Sequence, residues 1–267
     1  MRLIAVLLGV MLVLVGCRQS KRPSPPTTHP KEKVQRVDRY WQEARHEVYK
    51  TVPQLTAQHQ TELARGIVLR KLMRGSASRK QIAITFDDGP HAKYTPKLLA
   101  ILKQYDARAT FFVVGRLAER HPDLIRAEIA AGHDVGNHTY DHVNLTKLPL
   151  GQTATEIQAC GDVLKAITHK RPSLFRPPGG DYNTRVGRIA NDLDYTMVLW
   201  TDDPGDYADP GEKVIFNRVM RKVRNGGIIL IHDGIQQTVD ILPKILQTLK
   251  NRGYQFVTVD QMMRGTS

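Results

Sequence analysis

The sequence predicts an α/β fold: a compact, irregular (β/α) barrel of about seven parallel strands, preceded by an N-terminal helical segment. After residue 80, short apolar runs alternate with amphipathic stretches, and this alternation is typical of parallel strands joined by helical crossovers. About seven strands must fit into fewer than 190 residues, which favours a barrel over an open doubly wound sheet.

The individual elements follow from the same pattern. Apolar runs predict strands at residues 81–86, 109–114, 134–136, 174–175, 196–199, 228–231 and 255–259. Amphipathic periodicity predicts helices at residues 95–105, 122–131, 152–167, 184–193, 214–223 and 239–251. Pro122 favours a helix start because proline is tolerated in the first turn. Neither a Gly-rich dinucleotide fingerprint nor a P-loop follows the first strand, which argues against nicotinamide or nucleotide chemistry.

The N-terminus has the features of an export signal. Arg2 precedes an apolar run of 13 residues, 3–15, which is shorter than the roughly 20 residues that span a bilayer and fits a signal peptide. The run ends in the letters LVGC, which resemble a bacterial lipobox, so we expect removal of residues 1–16 and lipidation of Cys17. An extracytoplasmic, membrane-anchored lipoprotein of the cell envelope follows. The alternatives are an ordinary signal peptide or an uncleaved membrane anchor.

The charge is concentrated near the N-terminus. Of the net +13, residues 1–80 contribute 16 Lys and Arg against 5 Asp and Glu, whereas the rest of the chain has 23 against 21. This pattern favours an anchored segment beside a polyanionic surface and argues against a nucleic-acid partner, which would require a basic patch around the site. If Cys17 is lipidated, Cys160 remains alone, so no internal disulfide is expected.

Two segments separate the predicted signal from the main domain at residues 79–267. Residues 17–33 are rich in Pro, Ser, Thr and Lys, a composition that predicts a disordered spacer. In residues 34–78 apolar residues recur at three- and four-residue steps, which predicts one or two amphipathic helices broken near Pro53. We expect this segment to pack against the main domain; adhesion to anionic lipid or wall polymer is the alternative.

Polar residues concentrate where the predicted strands end. Asp87 and Asp88 follow the first strand, and adjacent side chains of an extended strand end would point opposite ways. His138 and His142 are spaced i, i+4, which would place two imidazoles on one side of a helical turn, where an Asp could complete a metal site. A His pair of this spacing is weak evidence by itself, since exposed pairs on helices are common.

The remaining motifs strengthen the interpretation of this His pair as part of a metal site. In order, TFDDG, HTYDH, RPPGG, DPGDY and LIH resemble the five motifs of the NodB-like polysaccharide deacetylases, carbohydrate esterase family 4. This metal-dependent family removes N- or O-acetyl groups from chitin, peptidoglycan, poly-N-acetylglucosamine or xylan. The resemblance covers residues 80–262 and implies a distorted (β/α) barrel of about seven strands.

The resemblance also implies roles for matched residues. Asp88, His138 and His142 would hold a divalent metal, Zn²⁺ in the first place and otherwise Co²⁺ or another ion. Asp87 would be the general base for a metal-bound water that attacks the acetyl carbonyl, since the cation lowers the pKa of that water toward about 7. Arg176 would hold the base ionised and oriented.

The acid side of the reaction follows from the same resemblance. His232 would be the general acid that protonates the leaving amine, Asp203 its carboxylate partner, and the Gly179 N–H the oxyanion donor. Three residues would contact the substrate, with the first lining the acetyl methyl pocket: Leu230, Tyr207 and Gly180.

Two positions depart from the commonest family pattern. Gly179 stands where many members have an aromatic residue, which keeps the N–H but removes a side-chain wall, and Tyr207 stands where tryptophan is usual. Asp202 and Asp206 add further acids near the cleft. Turn or capping roles are expected for three other polar residues near the motifs: His91, Asp141 and Asp233.

The expected activity is N-deacetylation of an N-acetylglucosamine-containing polymer of the cell envelope by a monomer. Peptidoglycan, poly-N-acetylglucosamine and chitin-like glycans share the reacting group, so the sequence leaves the polymer open. An O-acetyl esterase of the xylan type would need the same metal, acid and base. A catalytically silent glycan-binding module is a third possibility, but it would have no need for both Asp87 and His232.

Overall fold

The structure, a computed structural model, describes residues 49–265. The predicted signal peptide, Cys17, the spacer and the first part of the 34–78 segment lie outside these residues. Among the helices in the described range, none is long and apolar enough to cross a membrane.

A single parallel sheet organises the described residues. Its eight strands are β1 Lys71–Leu72, β2 Gln81–Gly89, β3 Ala109–Val113, β4 Asp134–Asn137, β5 Leu174–Phe175, β6 Thr196–Val198, β7 Gly227–His232 and β8 Gln255–Phe256. The order is β1-β6-β5-β4-β3-β2-β7, with β8 alongside the start of β2, and the paired strands run parallel. The seven predicted strands are therefore confirmed, and β1 is an addition.

The sheet curls because the chain after β6 returns to β7. The Thr201 N–H donates to the Ile228 carbonyl at 3.0 Å, and the Leu230 N–H donates to the Asp202 carbonyl at 2.9 Å. β6 and β7 lie near opposite ends of the strand order. These bonds place the segment that follows β6 next to β7, so the two ends of the sheet approach each other. The curled parallel sheet with surrounding helices confirms the prediction of a distorted (β/α) barrel.

The helices alternate with the strands as predicted. They are α1 Val52–Ala64, α2 Thr95–Gln104, α3 Gly115–Arg120, α4 Pro122–Ala130, α5 Leu150–Thr168, α6 Thr184–Asp192, α7 Glu212–Lys222, α8 Gln236–Asn251 and α9 Val259–Arg264. The six helices predicted in the main domain form with ends displaced by at most three residues. The last predicted strand is shorter than expected, because Thr258 caps α9 through a capping box with Gln261.

The N-terminal part of the described chain packs on the barrel. Thr51 caps α1, and Pro53 lies in its first turn, so Pro53 begins this helix instead of breaking one. Leu55 is fully buried, and Glu62 forms a buried ion pair with Lys71 of β1. The expected packing against the main domain is therefore present for α1.

Residues 71–72 lie in the segment predicted to be helical, and for these two residues the prediction is wrong. These two residues form β1, which receives the Leu199 N–H at the Leu72 carbonyl, 2.9 Å away. A two-residue strand carries no periodicity of its own, so only its pairing with β6 identifies it.

The alternation of side chains along β2 decides what reaches the interior. Ile82, Ile84 and Phe86 belong to the apolar cluster between the sheet and helices such as α2 and α8, whereas Ala83 belongs to the cluster that contains Leu230 and Trp200. A strand repeats every two residues, so Thr85 and Asp87 continue the face of Ala83. The strand thus delivers Asp87 to the interior at its carboxyl end.

Candidate active site

The two carboxylates at the end of β2 face the same space. Asp88 has a φ of 72°, and the pairing of β2 with β3 shifts between Asp87 and Gly89. This bulge returns Asp88 to the interior, so that His138 Nε2 lies 3.7 Å from Asp87 Oδ2 and 3.4 Å from Asp88 Oδ1. The expectation that the two side chains would point opposite ways is wrong, because the strand is not extended at Asp88.

The two histidines converge through a loop, so the predicted helical turn is wrong. Thr139 and His142 both have left-handed backbone, with φ of 65° and 58°. The Thr139 N–H donates to Asn137 Oδ1 at 2.9 Å, and the His142 N–H donates to Thr139 Oγ1 at 3.0 Å. These local bonds substitute for helical ones and fold the loop after β4 back toward β2.

Asp88, His138 and His142 fit a divalent cation. All three are buried, and their ligand atoms lie within 4.8 Å of one another. His138 Nδ1 is 2.8 Å from the Arg176 carbonyl, which can only accept, so Nδ1 carries the proton and Nε2 presents its lone pair. That Nε2 is buried without a hydrogen-bond partner among residues 49–265. Two imidazoles and one carboxylate suit Zn²⁺ and similar divalent ions.

The neighbouring charges keep Asp88 ionised. Burial opposes its ionisation, but His142 beside it, through its charge and a hydrogen bond, holds the pKa of the Asp88 carboxyl well below its usual value. His142 Nε2 lies 3.1 Å from Asp88 Oδ1. An ionised carboxylate is the form that binds a cation, so the protonation state suits a ligand.

Arg176 holds Asp87 from inside the barrel. Its Nη1 donates to Asp87 Oδ1 at 2.6 Å and to Thr85 Oγ1 at 2.8 Å, and its Nε donates to the Val198 carbonyl at 3.1 Å. The guanidinium carbon lies 4.1 Å from the ring centroid of Phe112, and the side chain is fully buried. The predicted Arg176–Asp87 pair is present, with Thr85 as a partner that the sequence reading missed.

His232 pairs with Asp206, so the predicted pairing with Asp203 is wrong. His232 Nδ1 lies 2.7 Å from Asp206 Oδ1, and the His232 N–H donates to Asp206 Oδ2 at 2.8 Å. Thr238 Oγ1 donates to the same Oδ2 at 2.5 Å. His232 Nε2 is buried and has no hydrogen-bond partner within the described part of the chain.

The Asp-Pro-Gly turn explains why Asp203 is not the partner. Asp203 Oδ1 accepts the Gly205 N–H at 2.8 Å, a local bond that stabilises the turn. Gly205 then adopts left-handed backbone, with φ of 70°, and the chain enters a short 3₁₀ turn at Asp206–Ala208. This turn buries Asp206 beneath His232. The sequence offered one signal for Asp206, which is its position directly before the predicted site residue Tyr207.

The pairing charges His232. Burial by itself would lower the pKa of His232, but the adjacent Asp206 carboxylate, with smaller contributions from Asp88 and Asp87, raises it to about 9. Burial likewise opposes ionisation of Asp206, while His232 and Thr238 hold the pKa of that carboxyl below its usual value. His232 is therefore protonated at neutral pH, the form that a general acid requires.

Two tyrosines flank the imidazole. The Tyr207 ring meets His232 edge-on at 5.4 Å between centroids, and Tyr49 does so at 5.2 Å. The two tyrosine rings lie 4.2 Å apart. Tyr207 was a predicted site residue. Tyr49 was missed, because it precedes α1 and no motif surrounds it.

Gly179, Gly180 and Leu230 are all buried, the two glycines in the loop after β5 and Leu230 within β7, and their predicted contacts with substrate stay predictions. Gly179 and Gly180 have φ of 60° and 66°, which favours glycine at both positions. A Cβ on Gly180 would lie 2.5 Å from Cη2 of Trp200, so packing alone already requires glycine there.

The residues expected to have turn or capping roles make structural contacts. His91 accepts the Lys93 N–H at its Nδ1, 3.1 Å away. Asp141 forms an ion pair with Arg116 at 3.7 Å. Asp233 is buried and accepts a hydrogen bond from Thr95 at the start of α2.

Comparison with known families and curated relatives points in one direction. Residues 74–198 match the family described as polysaccharide deacetylase. The chain is 42% identical over 197 residues to a peptidoglycan-N-acetylglucosamine deacetylase of Bacillus cereus, covering 70% of this chain and 90% of the relative. It is 37% identical over 185 residues to the peptidoglycan-N-acetylmuramic acid deacetylase PdaC of Bacillus subtilis, covering 69% of this chain and 39% of that protein.

Solved structures share the fold. A peptidoglycan N-acetylglucosamine deacetylase superposes with a TM-score of 0.72 at 32% identity, covering 78% of this chain and 97% of the other. A pseudoenzyme of carbohydrate esterase family 4 from Bacillus anthracis superposes with a TM-score of 0.70 at 29% identity, covering 74% and 70%. A protein named as a deacetylase and a protein named as a pseudoenzyme thus share this fold, so the individual site residues must carry any argument about activity.

Proposed function

Since the chain belongs to the polysaccharide deacetylases of carbohydrate esterase family 4 and is a hydrolase of polysaccharide acetyl groups, we propose that it is a metal-dependent N-deacetylase of an N-acetylglucosamine-containing envelope polymer. One observation carries the proposal. The cation-ligand set Asp88, His138 and His142 lies beside a carboxylate held by Arg176, and a charged His232 accompanies them.

The protein groups divide the proton transfers between them. Asp87, oriented by Arg176, accepts a proton from the attacking water. His232, charged and held by Asp206, donates a proton from Nε2 to the leaving nitrogen, since an amine leaves poorly without one. The Gly179 N–H donates to the oxygen of the acetyl carbonyl as that oxygen gains charge. A divalent cation held by the three ligands would activate water and polarise the carbonyl.

The retained acid and base distinguish this proposal from a silent glycan-binding module. Binding a glycan needs neither a charged imidazole nor a carboxylate fixed by a buried arginine, and burying such charges is costly unless they serve a purpose. The Asp87–Arg176 and His232–Asp206 pairs are both almost fully buried. This burial favours an active enzyme.

The direct test is acetate release from defined N-acetylglucosamine oligomers and purified peptidoglycan. We expect release that stops when the protein is stripped with a chelator and returns with Zn²⁺, Co²⁺ or a similar ion, because the protein groups alone supply no Lewis acid. Full activity in excess chelator would refute the metal assignment. Release from O-acetylated xylan but from no N-acetyl substrate would indicate the esterase alternative.

The choice of an envelope polymer rests on the predicted lipoprotein signal. Peptidoglycan is the named substrate of both curated relatives described above, and an exported enzyme anchored by Cys17 would reach it. Peptidoglycan is therefore the first substrate to test, followed by poly-N-acetylglucosamine and chitin-like oligomers.

Membrane fractionation tests the anchor. The wild-type protein should stay with membranes in high salt and leave them in detergent, because acyl chains bind a bilayer far more strongly than basic residues, which add about 1 kcal/mol each and are screened by salt. Cys17→Ser should abolish lipid labelling. Cys160→Ser is the matched control and should change neither property, since Cys160 is buried within α5. Release of the wild type by salt alone would leave it secreted or periplasmic, with the deacetylase proposal intact.

A further inference from the structure

The chain just before α1 is attached to the active-site loop that carries Gly179. The Lys50 N–H donates to the Gly179 carbonyl at 2.9 Å. The Lys50 ammonium lies 3.3 Å from Asp181 Oδ1 and 3.4 Å from Gln58 Oε1. Residue 50 is thus held by both its backbone and its side chain.

This attachment places the ring of Tyr49 against the acid. Tyr49 is 6% exposed, and its ring meets His232 edge-on, at 5.2 Å and an interplanar angle of 67°. On another side it packs on Tyr207 at 4.2 Å, the closest approach in this aromatic group. The imidazole of His232 is therefore enclosed by Asp206 at Nδ1 and by two tyrosine rings.

The bond to Cβ and the hydrogen bond at Nδ1 hold one edge of the imidazole, so the motion that remains is a tilt of the Nε2 side. Edge-on contacts with two rings restrict that tilt, because aromatic pairs favour this geometry and lose contact when one ring turns. The half-buried Tyr207 ring contacts the His232 imidazole on one side, and the Tyr49 ring provides a second contact. One of the two rings that contact the His232 imidazole thus belongs to a residue outside the barrel's strands.

We infer that Tyr49 is a positioning residue for the general acid, so that the segment before α1 completes the active site. The inference rests on the proposed function, in which His232 protonates a leaving amine. A loss of this positioning should affect two kinds of substrate differently. Loss of positioning should slow the release of an amine, which needs the proton, much more than the release of 4-nitrophenolate from its acetate ester, which leaves without one.

The experiment compares Tyr49→Ala with wild type in the full-length, metal-loaded protein on both substrates. We expect kcat for the N-acetylglucosamine oligomer, divided by kcat for the aryl ester, to fall about 10-fold, a modest part of the 10²–10⁴ that general acid catalysis contributes. Tyr49→Phe keeps the ring and should restore the ratio. Tyr254→Ala is the control, since Tyr254 packs at the opposite, amino end of the strands and should leave the ratio unchanged.

Other outcomes separate the possibilities. An equal loss on both substrates, or loss of bound metal, would mean that Tyr49 only stabilises the fold, and the inference would be overturned. An unchanged ratio in a folded Tyr49→Ala protein would overturn it as well. If the wild type releases no acetate from any substrate, the proposed function fails. The inference is then decided by the orientation of the His232 imidazole, read by NMR from nuclear Overhauser effects between its ring protons and neighbouring protons. That orientation should change in Tyr49→Ala and not in Tyr49→Phe; an unchanged orientation in Tyr49→Ala would refute the inference.

Discussion

Asp206→Asn should lower kcat on an N-acetylglucosamine oligomer by about 10²- to 10⁴-fold, the range that general acid–base catalysis contributes, while the bound metal is retained. The amide cannot supply the negative charge that keeps His232 protonated. Burial lowers the pKa of His232, and Asp206 is the main group that raises it to about 9. Without that charge the pKa of His232 falls, so the alkaline limb of the pH profile of kcat/KM should move to lower pH. The measurement is kcat/KM of the residual activity as a function of pH.

Asp203→Asn is the matched control for this experiment. Asp203 accepts the Gly205 N–H at 2.8 Å, a bond that an asparagine oxygen can also accept, so the turn should survive. We expect a small loss of activity and an alkaline limb close to that of the wild type. The opposite result, with Asp203→Asn inactive and Asp206→Asn near normal, would restore the pairing expected from the sequence and refute the one in the structure.

Asp87→Asn and Asp88→Asn should both abolish most turnover, but for different reasons. Asp87 is held by Arg176 and acts as the base, so its amide should keep bound metal and lose activity by a factor of about 10² or more. Asp88 lies 3.1 Å from His142 Nε2 and 3.4 Å from His138 Nε2, so its amide should lose the metal itself. Metal content of the purified variants, set beside kcat, distinguishes the two.

The histidines provide the control for the ligand set. His138→Ala or His142→Ala should lower metal affinity strongly, whereas His91→Ala should do so far less, because His91 accepts a local hydrogen bond from Lys93. Equal losses in all three variants would mean that the ligands are drawn wrongly. If both aspartate variants keep their metal and only Asp88→Asn is inactive, the roles of Asp87 and Asp88 are reversed.

The order and type of the main helices and strands could be predicted from local sequence patterns. Apolar runs and amphipathic stretches located the strands and helices of the barrel, because their periodicity reflects burial on one face or both. The same patterns could not identify β1, whose two residues acquire meaning only by pairing with β6. The motifs likewise singled out the three residues that the structure brings together as a cluster, Asp88, His138 and His142, since residue type and order along the chain need no fold to be recognised.

Tertiary structure alone decided how these groups meet. A bulge at Asp88, and not strand alternation, turns both carboxylates inward, and a loop with left-handed residues, and not a helical turn, brings His142 to His138. Among the acids of the Asp-Pro-Gly stretch, the turn itself uses Asp203 and buries Asp206 under His232. Tyr49 contacts His232, and the next residue, Lys50, donates its N–H to the Gly179 carbonyl. Sequence patterns record which side chains are present and how they repeat, whereas backbone conformation at single residues and contacts between distant segments exist only once the chain has folded.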